Sequence, residues 1–251
     1  MPHLNELHEE LGDEGLVVVG VSDEGMGLIE KHVDKTGMHF PVARTKARVD
    51  MLYGVSGYPS AVVIDAAGRL VWSGHPGGLD ESLLRGLLED AAFVPAVEGK
   101  AYKGLNKRIR KGEYGKALDE ALKGLGKTPD DPGFAKARAS LEGLLEHKRA
   151  AAEEAVESGD HGLAWGLLSE VQELFDGRDE AKAAKVRAKA IEKLPQAKDA
   201  IEAFKKIQKA DAVAMTGEYE KAARTYKIVA SKFPDTASGK RAQAFMKRHP
   251  L

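Results

Sequence analysis

Leu4, Leu7 and Leu11 recur at three- and four-residue spacing, which predicts an amphipathic helix that Gly12 ends. The run from Gly15 to Ser22, GLVVVGVS, is apolar and β-branched without alternation. Such a run predicts a strand buried on both faces of a parallel sheet. A second helix is expected from about Met26 to Thr36, with Leu28, Ile29, His32 and Val33 on one side and Gly37 as its stop. The HFPVAR segment has room only for a short extended piece, because Pro41 lacks a backbone donor. A helical turn or two is expected around Val49 to Tyr53. SAVVID and RLVWSG then form a predicted antiparallel hairpin, with Asp65 and Gly68 supplying the turn chemistry. Leu79, Leu83, Leu84, Leu87 and Leu88 mark a closing helix with Asp80 as its N-cap. The order of elements over residues 1–92 is thus α/β and then antiparallel.

Proline and glycine flank FVPAVEGK, and the pattern changes beyond it, so residues 93–100 are read as a linker and 101–251 as a second domain. From Tyr102 onward no strand is expected, and the composition moves to Ala, Lys, Glu and Leu. Three phrases begin alike: GEYGKALDEALKGL at Gly112, GDHGLAWGLLSEV at Gly159 and GEYEKAARTYKIVASKFPDT at Gly217. In each, glycine ends one helix, a ring packs into the preceding turn, and alanine lets the next helix approach closely. The third phrase resembles a tetratricopeptide repeat, with Tyr219, Ala222, Tyr226, Ile228, Phe233 and Pro234 at the characteristic positions. An irregular helical bundle without a groove is the alternative.

Composition narrows the classes. The 251 residues are 43% hydrophobic, enough for one large or two ordinary domains, and no run reaches the length of a membrane span. Nothing at the N-terminus has the pattern of a signal peptide, so a cytoplasmic location is expected of the chain as written. The net charge of −1 conceals two opposed halves: residues 1–95 hold 7 basic and 15 acidic side chains, residues 96–251 hold 31 and 24. The basic half interleaves its lysines with acids at helical spacing, the mark of a solvated face, and no nucleic-acid partner is expected. No cysteine is present. Disulfides, thiolate nucleophiles and cysteine-based metal sites are therefore excluded for these residues.

MPHLNEL, GLVVVGVS, TGMHFPVA, YGVSGYPSAVVIDAAGRLVWSGHPG and the closing leucine helix together resemble the greater part of a thioredoxin-like domain, most similar to redoxins and TlpA-type disulfide reductases. The resemblance implies an α/β thioredoxin-like fold for 1–92 followed by an all-α helical-repeat domain. It also implies that Pro59 is cis and that Tyr58 and Pro59 form a substrate-binding wall. In that family a Cys-x-x-Cys pair opens the first helix, about four residues before a Met-Pro step such as Met1-Pro2, on a strand-helix unit that this chain lacks. Either Met1 is an internal methionine of a longer redoxin, which an upstream leader would make periplasmic or exported, or the chain is a redox-dead binding module.

Other chemistry is sparse. His3, His8, His32, His39, His75, His147, His161 and His249 do not pair at the four-residue helical spacing that zinc favours, and no metal or other cofactor is expected. Ser60 lacks a nucleophile elbow, and His75 reads as a turn residue. Trp72 is expected to pack on the hairpin and Trp165 at a helix contact. No catalytic residue is assigned. The functional expectation is a redoxin-lineage protein without redox activity, or else an adaptor that binds a protein or peptide partner through its helical repeats.

Overall fold

The computed structural model describes residues 2–45, 49–65, 70–89, 94–216 and 218–248. Met1, Gly68, Gly217, His249 and the side chain of Tyr219, all used above, lie outside the described residues. The chain divides into two units, residues 1–91 with 214–218, and residues 92–213 with 219–251.

In the first unit, α1 (Pro2–Leu11) and α4 (Glu81–Glu89) bury Leu7, Leu11 and Leu84 against one another, with Leu4, Leu16, Val63, Leu79 and Leu88 around them. Burial of such side chains contributes about 1.5–3 kcal/mol each, so this cluster is the anchor of the unit. The Asp80 carboxylate caps α4 by accepting from the Ser82 N–H at 2.9 Å, and that bond holds its pKa below the ordinary carboxylate value. Helix α2 (Met26–Thr36) runs between the predicted limits and stops at Gly37, whose φ of 61° is left-handed. Of its expected apolar face only Ile29 is buried, while Leu28 and His32 are exposed.

The strands depart from expectation. β1 (Gly20–Ser22) pairs in parallel with β2 (Val42–Arg44), and β3 (Ala61–Ile64) pairs antiparallel with β4 (Leu70–Gly74), but the two pairs form separate sheets. A thioredoxin-like α/β core for residues 1–92 is therefore not formed, and helices account for 69% of the described residues. The physical reason lies in the pairing. The apolar run from Leu16 has a ladder partner only from Gly20 onward, and Pro41 shortens the strand opposite. Among the described residues no ladder joins β1 or β2 to β3 or β4.

The described residues of the second unit form no strand, and its helices are α5 (Lys103–Arg110), α6 (Tyr114–Lys127), α7 (Pro132–Glu157), α8 (His161–Leu174), α9 (Asp179–Ile191), α10 (Ala197–Met215), α11 (Tyr219–Lys232) and α12 (Ala237–Arg248). Helices α5 to α9 pack each on the next, as α11 does on α12. The repeated phrases explain this locally. Gly112 and Gly159 are left-handed, with φ of 70° and 78°, between α5 and α6 and between α7 and α8. The alanines that follow, Ala117, Ala164 and Ala222, are buried. Tyr114 meets Phe175 edge-on at 6.1 Å, while Ile228 is exposed and takes no part in the core. Salt bridges Arg108–Glu120, Lys148–Glu170 and Arg187–Glu153 cross between helices. Ahead of α5, the Asn106 amide clamps Val97, accepting from its N–H at 2.9 Å and donating to its carbonyl at 2.7 Å.

Candidate functional site

The site grows from the loop that introduces the hairpin. Helix α3 (Val49–Leu52) ends at Gly54, whose φ of 67° turns the chain back, and the Val55 N–H closes the turn on the Asp50 carbonyl at 2.7 Å. The loop then reaches Tyr58–Pro59, whose peptide bond is cis, and passes into β3. The register of the hairpin pairs Val62 with Ser73 and Ala61 with Gly74, so the start of β3 lies beside the end of β4. Gly74 allows a close approach: a Cβ there would stand 3.0 Å from the Trp72 ring. The indole thus lies along its own strand, as the sequence suggested for a tryptophan packed on the hairpin.

Loop and hairpin line a cavity of about 310 Å³ that is broadly open to solvent. Ser56, Ser60, Ser73, His75 and three glycines line it together with Tyr53, Val55, Pro59 and Val62. No Asp, Glu, Lys or Arg lines it. His75 opens a 3-10 turn, Pro76–Gly78, by accepting the Gly77 N–H at Nδ1, 3.1 Å away, so a neutral ring carries its proton on Nε2. That is the turn role expected for it. Such a lining has donors and acceptors without fixed charge. It suits the amide groups of a peptide rather than an anion or a cation.

Of the two residues expected to form a substrate wall, Pro59 lines the cavity and the Tyr58 side chain stands 81% exposed. An exposed phenol ring offers large contact area at low entropic cost to a partner. The contributions of Ser73 and His75 were missed in the sequence. The hairpin register, which pairs Val62 with Ser73 and Ala61 with Gly74, is the signal that brings Ser73 and His75 alongside the start of β3. Among the described residues no group of three or more His, Asp or Glu side chains is placed to hold a metal ion, and no helix is long and apolar enough to cross a membrane. No protein-family model, curated protein or solved structure matches the chain.

Proposed function

We propose that this protein is a non-enzymatic adaptor that holds an extended peptide of a partner protein in the cavity beside Pro59, with Tyr58 as the principal contact. The observation that carries the reading is an exposed tyrosine on the loop whose Ser56, Pro59 and Ser60 line an uncharged cavity. The helical unit supplies a scaffold whose buried alanines and left-handed glycines fix one helix against the next. Selection of displayed random peptides on the immobilised chain tests the proposal. Selected peptides are expected to lose about tenfold in affinity for Tyr58→Ala, the scale of a single aromatic hot spot. A variant that bound them as tightly as the parent would overturn the assignment.

Redoxin descent is the second reading, favoured by the ordered motif from Tyr53 to Gly77. Thiol-disulfide exchange needs a thiolate to attack the substrate disulfide and a second thiol to resolve the mixed intermediate. These 251 residues contain no cysteine. Insulin reduction by dithiothreitol is accordingly expected to run at the protein-free rate, and any acceleration would contradict the adaptor reading.

A further inference from the structure

Of the large hydrophobic side chains that stand exposed among the described residues, ten lie between Val17 and Val71 and three in the rest of the chain. Three of the ten form a row. Val17, Val19 and Val21 are 70%, 47% and 54% exposed, while the alternate residues Leu16, Val18 and Gly20 are half-buried. This is the period-two pattern of an extended segment with one face on the core and one in solvent.

The backbone beside this row has an open edge. The Gly20 N–H donates to the Pro41 carbonyl and the Thr45 N–H to the Ser22 carbonyl, each at 2.9 Å, so residues 20 and 22 turn their polar groups to β2. Intervening residues of a strand turn theirs the opposite way. Val19 and Val21 therefore present N–H and C=O groups on an edge that no described strand pairs. Acidic residues bracket the segment: Asp13 and Glu14 before it, Asp23 and Glu24 after it, all exposed. Glu14 meets Arg85 at 3.5 Å, and the Arg44 guanidinium donates to the Glu24 main-chain carbonyl at 2.7 Å. Asp13, Asp23 and Glu24 have no side-chain ion pair among the described residues.

We propose that the open edge of β1 takes up an extended segment of a partner protein, β-branched at alternate positions and carrying lysine or arginine at both ends. The incoming strand exchanges hydrogen bonds with Val19 and Val21 and sets its own β-branched side chains beside Val17, Val19 and Val21. Its basic ends meet the two acidic pairs. The extended stretch from Leu16 to Ser22 spans roughly 20 Å at ~3.3 Å per residue, so a partner strand of about seven residues with basic residues just beyond each end matches it. Charge decides against a second copy of this chain as the occupant. Two β1 edges laid side by side, in either direction, bring acidic pair against acidic pair, and like charges facing across strands repel.

The surface is distinct from the cavity beside Pro59, because no residue of β1 lines that cavity. The test uses the full chain and a fluorescent probe, Lys-Lys-Val-Thr-Val-Thr-Val-Thr-Val-Lys-Lys, followed by anisotropy. Saturable binding is expected, weakened about tenfold or more by the double variant Asp23→Lys, Glu24→Lys and by high salt. N-methylation of alternate valine amides of the probe is expected to abolish binding, since it removes the donors that strand pairing requires. Val19→Lys, at an exposed position, is expected to weaken binding while leaving the helical circular dichroism unchanged, and Tyr58→Ala to leave it intact. Absence of saturable binding overturns the proposal. So does equal binding of a probe with glutamates in place of its lysines, or a dimer in sedimentation that Val19→Lys dissolves. Loss of probe binding in Tyr58→Ala would move the contact to the cavity and refute the β1 site alone.

Discussion

A Cβ at Gly239 would stand 1.7 Å from the Phe233 carbonyl oxygen, at the start of α12, where the Thr236 hydroxyl accepts the Gly239 N–H at 2.9 Å. Backbone cannot yield there as a flexible side chain would. Gly239→Ala is expected to cost about 1–3 kcal/mol, the range of an overpacked interior, seen as a lower midpoint in urea. Gly115 is held in the same way against the backbone of Phe175 and Asp176. Tyr226, buried and stacked on Phe245 at 4.2 Å, donates to Asp211, which also pairs with Arg241. Burial first, and the Asp211 bond second, push the phenol well above the ordinary tyrosine value of 10. A pKa raised on folding means that the contribution is complete below the unfolded value and is lost as pH rises through the folded one. Tyr226→Phe is therefore expected to destabilise the protein at neutral pH and to reduce its loss of stability in strong alkali, read by denaturation at several pH values. Glu153 works at the acid end. The Arg187 hydrogen bond lowers its pKa from the usual 4.5, so its contribution is present above 4.5 and lost as pH falls through the lower folded value. Glu153→Gln is expected to flatten that part of the acid unfolding curve.

At the scale of elements, helices and the antiparallel hairpin were legible, and the assembly of strands into one sheet was not. The limits of α2 follow from local signals, a leucine-isoleucine face and a glycine able to take positive φ, and the structure places them at Met26 and Thr36. Asp80 capping α4 and Gly112 and Gly159 ending helices are equally local. A strand instead needs a partner, which the residues of the strand do not specify. Leu16 to Val19 carry the composition of a buried strand, yet regular pairing begins at Gly20. The candidate cavity shares this division: Tyr58 and Pro59 were conspicuous as a pair, whereas Ser73 and His75 joined them through hairpin register. The linker shows a related effect, since nothing in FVPAVEGK announces that Asn106 will clamp Val97. Asn106→Ala leaves both main-chain groups of the buried Val97 without that partner and is expected to cost about 1–3 kcal/mol, measured by thermal or urea unfolding.

Across the whole molecule the two units differ in how completely they bury their apolar residues. Buried alanines, Leu118, Leu141, Val171 and Phe175 form a continuous helical core in the second unit, while exposed valines and hairpin residues mark the first. Amide hydrogen exchange is expected to follow this contrast. The amides of Val17, Val18 and Val19, which have no main-chain partner among the described residues, should exchange near the unprotected rate, and those of Leu118, Leu141 and Val171 most slowly. Protection at Val19 in the free protein would contradict the open edge of β1. What the sequence by itself determined is whatever repeats within a turn or two of chain: helix faces, caps, glycine stops, the hairpin and the acidic character of the first 95 residues. Tertiary structure alone decided that β1 pairs with β2 only from Gly20 onward, that β1 and β3 belong to separate sheets, and which residues of β4 join the loop beside Pro59. The reason is that a helix closes its hydrogen bonds on itself, whereas a strand leaves them to whatever segment the fold brings alongside.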